Sequence, residues 1–362
     1  MIAGRLPLPS ERTNMKNNSK NIRDVPLSIL DLVPVLSGKM ALDSFQSSLD
    51  LARKAEQFGI KRFWMSEHHN MEGVASSATV VLIGYIAGNT STIRVGAGGI
   101  MLPNHAPLVV AEQFGTLETL YNNRIDLGLG RAPGTDQLTS RALRRDLNGS
   151  VEDFPRNVVE LRDYFASDES SRVRAIPGYG LNVPLWLLGS STYSAQLAAL
   201  LGLPFAFASH FAPSLLQQAI KIYRDNFQPS AALQEPYVMA GVNVVAADTD
   251  QEAEHLATSL YAFFQNVIRG TSNRLQPPVQ NLFSTWTDQE MSAVQQMLHY
   301  TFIGSKETVK TRLQNFIDET NVDELMVVSN IYDHSARVRS YEILSEFMLR
   351  QSVVNNEVSA SF

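Results

Sequence analysis

The 362-residue sequence contains no cysteine. Disulfide bonds and thiolate metal sites are therefore excluded, and the absence fits a reducing compartment, so we expect a cytoplasmic protein. No apolar run approaches the roughly 20 residues that a membrane-spanning helix needs. No segment concentrates Lys and Arg as a nucleic-acid surface would. Charged residues are also few, at 18% against 44% hydrophobic, which favours a folded chain with a large core and predicts neither a membrane nor a nucleic acid as partner.

The two ends of the chain differ in composition from the rest. Residues 1–24 are polar, rich in Pro, Ser, Asn, Lys and Arg, and lack the apolar core of a signal peptide, so we expect a disordered extension or leader. Residues 351–362 are expected to form a flexible tail. Residues 25–350 are long for an average domain but ordinary for a barrel of alternating strands and helices, and we expect one domain.

Short apolar runs alternate with helical patterns along residues 25–350. The predicted strands are Leu27–Val33, Lys61–Ser66, Ile93–Met101, Arg124–Gly130, Pro184–Gly189, Phe205–Ala208, Val238–Ala247 and Glu324–Ser329. Strands that alternate with helices indicate a parallel α/β sheet. A count of eight favours a closed (β/α)8 TIM barrel, with an open doubly wound sheet as the alternative. Insertions Ala132–Val151 after strand 4 and Arg269–Phe302 after strand 7 have the length of lids or binding loops.

Polar residues follow the predicted strands, at the edge where such barrels carry their sites. Four of the seven histidines lie there, namely His68, His69, His105 and His210. Adjacent strand residues point to opposite faces, so the His68–His69 pair argues against a shared metal ion. A general acid/base or hydrogen-bond donor is favoured over a metal ligand or a packed histidine. His105 and His210 are candidates for a substrate pocket.

Two further features predict a cofactor. The strand that contains Gly98 and Gly99 ends in bare backbone, against which a flat ligand can lie. Ser190, Ser191, Thr192 and Ser194 open a predicted helix, where free N–H groups and hydroxyls suit a phosphate, although ordinary N-capping is the alternative. Arg131 is a second phosphate ligand or the partner of a carboxylate. The glycines at 128, 130 and 134 miss the dinucleotide spacing, so a mononucleotide is expected.

The predicted helix at residues 76–89 is apolar around almost its whole circumference. An outer helix of a barrel normally has a polar face. Gly84 and Gly88 would permit close contact with another helix. We therefore expect a homodimer interface here, with coverage by the chain's own insertions as the alternative.

In several motifs the chain resembles the luciferase-like flavin monooxygenases. The motifs that carry the resemblance are Glu67-His68-His69-Asn70, Val95 to His105, Gly128 to Asp136, Gly189 to Ala198 and Ile303-Gly304-Ser305. The resemblance implies a barrel that binds reduced FMN, a cis peptide at Gly98–Gly99, and His68 as the catalytic histidine with His69 as its neighbour. It also implies that Arg131, Ser190, Ser191 and Ser194 bind the phosphate. Tyr193, which lies among these serines, is predicted to be a cofactor-binding residue as well.

The same resemblance predicts the reaction. It implies a monooxygenase in which a separate NAD(P)H:flavin reductase supplies reduced FMN and O2 oxidises a small organic substrate. Light-emitting relatives have a reactive cysteine where this chain has Gly130, which weakens an aldehyde-luciferase interpretation. The alternatives are a flavin or deazaflavin oxidoreductase that transfers hydride without oxygen, a flavin-binding protein without turnover, and a metal-dependent barrel hydrolase.

Overall fold

The computed structural model describes residues 20–132, 135–143, 151–271 and 274–348. These residues contain nine parallel strands. The strands are β1 Leu27–Asp31, β2 Arg62–Met65, β3 Arg94–Met101, β4 Ile125–Gly130, β5 Leu185–Gly189, β6 Phe205–Phe207, β7 Val238–Ala246, β8 Thr301–Gly304 and β9 Glu324–Val328. All eight predicted strands are present, with ends shifted by one or two residues.

Eight of the strands close a barrel. The hydrogen-bonded order runs from β1 through β2, β3, β4, β5 and β6 to β7, and then through β9 back to β1. The predicted (β/α)8 barrel is thereby confirmed, and the open-sheet alternative is wrong.

Strand β8 lies outside this ring and was not predicted. Asn243 of β7 pairs with Thr301 of β8 and with Val328 of β9, so β8 and β9 flank β7 on opposite sides. Strand β6 pairs only with residues 238–240 of β7, and β8 pairs with residues 243–246. Strand β8 thus extends the wall beyond β6. The boundary Arg269–Phe302 predicted for the second insertion is corrected here, because its last two residues begin this strand.

Helices surround the barrel. They are α1 Ala41–Gln57, α2 Thr79–Ala87, α3 Pro107–Leu120, α4 Gln137–Leu143, α5 Phe154–Phe165, α6 Thr192–Leu201, α7 Leu216–Asn226, α8 Asp250–Ile268, α9 Asp288–Met297, α10 Lys306–Thr320 and α11 His334–Met348. Local signals fix several ends. Thr287 and Glu290 form a capping box at α9, and Gly202 ends α6 in the left-handed region at φ 61°.

The outward side of α2 is exposed. Gly84 and Gly88 face α3, where they approach Leu117 and the Tyr121 hydroxyl, so the glycine spacing serves packing within the chain. Val81 on α2 is 70% exposed and Tyr85 is 40% exposed. Within the described residues, the chain's own insertions therefore do not cover α2, contrary to the alternative considered above.

The barrel interior has an apolar layer above a charged one. Trp64, Trp186, Met239 and Met326 belong to the apolar layer. Toward the amino ends of the strands, the buried Arg62 donates to Asp126 Oδ2 at 2.7 Å and to Glu324 Oε1 at 2.9 Å. Each buried charge thus has an opposite charge within hydrogen-bond distance, which offsets the cost of its desolvation. The carboxyl ends of the strands are left for a site.

The first described residues, 20–25, pack against the barrel. Lys20 donates to Asp323 and to the carbonyls of Asn321 and Val322, and Ile22 and Val25 are buried. Residues 20–24, which the sequence analysis assigns to the extension, therefore pack on the barrel. Residues 1–19 and the predicted tail 351–362 lie outside the described residues.

Candidate active site

A cavity of about 270 Å³ opens at the carboxyl ends of the strands. Eight of the predicted site residues line it: His68, Gly98, Gly99, Arg131, Ser190, Ser191, Ser194 and His210. Three others do not: His69, His105 and Tyr193. The closed barrel explains this gathering, because residues that follow different strands in the sequence meet at one rim.

The floor and one wall of the cavity are apolar or bare backbone. Leu30, Trp64, Met239 and Met326 form the floor. The Gly98–Gly99 peptide is cis, as expected. A Cβ on Gly98 would lie 2.8 Å from Leu30 Cδ1 and one on Gly99 would lie 2.7 Å from the Gly128 carbonyl oxygen, so neither position has room for a side chain. A flat apolar ring fits this floor.

The opposite end of the cavity is polar and cationic. Ser191 is the N-cap residue of α6, yet its side chain makes no capping hydrogen bond. N-capping, the alternative interpretation of the serines, is thus not how Ser191 is used. The Arg131 guanidinium lies 4.2 Å from the Tyr193 ring centroid, and no carboxylate among the described residues forms an ion pair with it. Open N–H groups, hydroxyls and a cation together fit a phosphate.

His210 is a buried neutral histidine. It is 8% exposed, and its Nδ1 has no hydrogen-bond partner within the described chain. Asn243 Nδ2 donates to the His210 carbonyl at 2.5 Å and holds the backbone in place. Burial, with a smaller effect from the charge of His68, lowers the pKa of His210 to about 4. The ring is therefore uncharged at neutral pH and suits hydrogen bonding rather than anion binding.

His69 and His105 contact a carboxylate outside the cavity. The Nε2 atoms of His69 and His105 lie 2.8 Å and 2.9 Å from Glu67 Oε1. The Met101 N–H donates to Glu67 Oε2 at 3.0 Å. Burial alone would raise the pKa of Glu67, but these hydrogen bonds hold it below its ordinary value. The structure therefore does not place His69 beside the cavity as a second catalytic histidine or His105 in a substrate pocket.

Sequence reasoning also missed residues that shape the cavity. Gly241 leaves the space that the His210 ring fills, and Phe211 stacks edge-on against that ring at 4.9 Å. Met239 and Gly241 are alternate, same-face positions of β7, so the two-residue period could have found them once β7 was known to enter the barrel. Among the described residues, no group of three or more His, Asp or Glu side chains is arranged to hold a metal ion. No described helix is both long and apolar enough to cross a membrane.

The fold and this cavity define a (β/α)8 barrel with a ligand site at the carboxyl ends of its strands. The sequence profile described as luciferase-like monooxygenase matches residues 27–324, and the chain belongs to that family. It is 55% identical over 322 residues to a luciferase-like monooxygenase of Escherichia coli K12, covering 89% of this chain and 96% of that protein. It is 31% identical over 334 residues to the N-acetyl-S-alkylcysteine monooxygenase of Bacillus subtilis, covering 90% and 98%.

Solved structures agree with the fold. The crystal structure of apo-MsnO8 matches with a TM-score of 0.81 at 35% identity, covering 90% of this chain and all of that one. The oxygenating constituent of 3,6-diketocamphane monooxygenase from Pseudomonas putida, in complex with FMN, matches with a TM-score of 0.67 at 17% identity, covering 89% and 97%. At that identity the likeness concerns the fold alone.

Proposed function

We propose that this protein is an FMN-dependent monooxygenase that uses reduced flavin and O2 to oxidise a small organic substrate. One observation carries the proposal: a single cavity joins a phosphate-type end, an apolar floor and His68. FMN has a phosphate at one end and a flat ring at the other, which matches this division. A separate reductase would supply the reduced flavin.

The chain's residues have distinct tasks in this proposal. Arg131, Ser191 and the start of α6 bind the phosphate, and the glycine backbone of β3 supports the ring. Bound reduced flavin supplies the electrons and the oxygen chemistry. His68 holds or moves a proton at the ring edge, while the apolar floor excludes water from the reacting atoms.

Relatives point to the same class of reaction. The family's description and the name of the B. subtilis relative both specify monooxygenases. That name makes N-acetyl-S-alkylcysteines the first substrates to test. A second candidate is hydride transfer with a deazaflavin, because an F420-dependent secondary alcohol dehydrogenase has a similar fold, with a TM-score of 0.65 at 13% identity and coverage of 90% of this chain.

The proposal is tested by anaerobic titration with reduced FMN, with reduced F420 in parallel, followed by admission of ¹⁸O₂ and a panel of thioethers and ketones. We expect binding of reduced FMN and incorporation of one labelled oxygen into a product. Hydride transfer to a substrate without oxygen uptake would favour the second candidate. Binding of FMN with no turnover of any panel member under either condition would favour a non-catalytic flavin protein.

Two substitutions separate the proposed roles. His68→Ala is expected to lower turnover about 10²- to 10⁴-fold, the usual contribution of a general acid or base, and to leave FMN affinity nearly unchanged. Arg131→Ala removes a charge-assisted contact of roughly 1.5–3 kcal/mol and should weaken FMN binding about 10- to 100-fold. Wild-type turnover in His68→Ala, or wild-type affinity in Arg131→Ala, would contradict the assigned role.

A further inference from the structure

Glu67 precedes His68 in the sequence and is 1% exposed. Its Oε1 lies within hydrogen-bond distance of His69 and of His105, and its Oε2 accepts the Met101 N–H. Because an ionised carboxylate only accepts hydrogen bonds, both imidazoles donate their Nε2–H to it. One buried side chain thus binds three groups from two segments of the chain.

These contacts lie on both sides of His68 in the sequence. Glu67 and His69 meet each other away from the cavity, while His68 between them lines it. The carbonyl of His69 also accepts a hydrogen bond from Thr135 Oγ1 at 3.0 Å, and Asn70 Nδ2 donates to Asp136 at 3.1 Å. The backbone that carries His68 is therefore held by its own neighbours and by the loop after β4.

The same carboxylate also reaches the wall that the flavin would contact. Met101 is the last residue of β3, two positions beyond Gly99, and His105 follows it after one short turn. Glu67 therefore connects the segment that bears His68 with the strand end that bears the glycines. Movement of one relative to the other would require breaking a buried, charge-assisted hydrogen bond.

We propose that Glu67 is the positioning residue for His68: it uses His69 and His105 as donors to fix His68 relative to the end of β3. This inference rests on the role of His68 in the proposed function. It assigns His69, predicted as a catalytic residue, and His105, predicted as a substrate-pocket residue, to the role of anchors. A displacement of a reacting group by about 1 Å can cost 10²-fold in rate, so such an anchor affects turnover directly.

The test is a double-mutant cycle of Glu67→Gln and His68→Ala, with turnover and FMN affinity measured for each variant. The amide nitrogen that Glu67→Gln introduces cannot accept the bonds that one carboxylate oxygen accepts. We expect turnover to fall about tenfold or more in Glu67→Gln, with little change in FMN affinity, and we expect no further fall when Glu67→Gln is added to His68→Ala. Equal falls in both backgrounds would overturn the proposal.

Glu56→Gln is the matched control. Glu56 accepts backbone N–H groups from Ser91, Thr92 and Ile93, immediately before β3, as Glu67 does at the other end of that strand. The Glu56→Gln variant should be less stable than wild type, as Glu67→Gln should be, but should retain wild-type turnover. His105→Gln, which keeps a donor, should retain more turnover than His105→Ala. Equal loss in these two variants would count against His105 as an anchor.

A readout without turnover separates this proposal from the proposed function. The ring resonances of His68, followed by NMR in the protein without flavin, should shift or broaden in Glu67→Gln and remain unchanged in Glu56→Gln. If His68→Ala keeps wild-type turnover, the proposed role of His68 is wrong. This spectrum alone then tests whether Glu67 positions the His68 side chain. An unchanged His68 spectrum in Glu67→Gln would overturn the positioning role.

Discussion

At the scale of single residues, the four histidines of the rim have different surroundings despite similar positions in the sequence. His68 and His210 line the cavity, whereas His69 and His105 bind Glu67. Burial makes His210 neutral, and a buried carboxylate makes His69 and His105 donors. Position after a strand predicts that a histidine reaches the rim, but its neighbours from other strands determine its chemistry.

The buried His210 should make stability depend on pH. Its pKa is about 4 in the folded protein, against 6.5 for an ordinary histidine. Between these values only the unfolded chain binds the proton, so the stabilisation is complete above pH 6.5 and is lost as the pH falls toward 4. Urea unfolding should give a smaller loss of stability from pH 7 to 4.5 in His210→Gln than in wild type.

The exposed His255→Gln is the control for that measurement and is expected to follow the wild-type curve. A His210 resonance that titrates near pH 6.5 in the folded protein would contradict the expectation.

At the scale of elements, the amino end of α6 depends on a glycine. A Cβ on Gly189 would lie 2.5 Å from Ser194 Cβ, in the first turn of the helix. Gly189→Ala should therefore displace the start of α6 and weaken FMN binding about 10- to 100-fold, since a charged phosphate hydrogen bond contributes roughly 1.5–3 kcal/mol. Isothermal titration calorimetry measures the change.

Gly84→Ala serves as the control, because a Cβ there meets only Leu117 Cδ2 at an ordinary 3.4 Å. It should bind FMN as wild type does. Equal FMN affinity in Gly189→Ala and Gly84→Ala would contradict the proposed role of α6 in binding the phosphate.

The elements also indicate what the sequence can predict. The barrel strands were recognisable because each is a buried apolar run with turn residues at its ends. The start of helix α6 was recognisable because hydroxyl side chains cluster there. Strand β8 was missed because it has only four residues and follows a segment rich in Gln, Asn and Ser. Helix α10 was also missed, although Val309, Leu313, Phe316 and Ile317 give it a regular buried face.

At the scale of the whole molecule, the two ends of the barrel have separate tasks. Arg62, Asp126 and Glu324 form their buried network only after β2, β4 and β9 have closed into one ring. No local sequence pattern predicts such a network, because its members lie in three strands that are far apart in the sequence. The polar end of the cavity, by contrast, could be predicted because the serines that line it are consecutive or nearly so.

Arg62→Met should destabilise the protein by about 1–3 kcal/mol, since it removes the partner that two buried carboxylates share, although Asp126 keeps Arg94 and Glu324 keeps Lys61. Chemical denaturation measures the loss. Arg131→Ala, which removes an arginine with no ion pair among the described residues, should leave stability nearly unchanged. A loss below about 1 kcal/mol in Arg62→Met would show that the network is dispensable for folding.

The homodimer predicted from residues 76–89 remains a prediction. Exposed apolar side chains lie on the neighbouring helices α2 and α3, including Val81, Tyr85 and Leu120. Such a patch is typical of an interface. Light scattering should give a dimer for wild type at micromolar concentration and a monomer for Val81→Glu. Leu200→Glu, at an exposed leucine of α6, is the control and should remain dimeric. A monomeric wild type would contradict the prediction.

The apolar floor has a spectroscopic consequence. Trp64 lines the cavity, and the ring of Trp186 packs edge-on against the ring of Trp64, with the ring centroids 5.2 Å apart. The third and last tryptophan of the chain, Trp286, lies in a separate cluster around α8 and α9. A yellow ligand seated on the floor would quench the indole emission of the first two far more than that of the third. Tryptophan fluorescence therefore measures binding of such a ligand in the cavity. The measurement needs no label and works equally well for active and inactive variants.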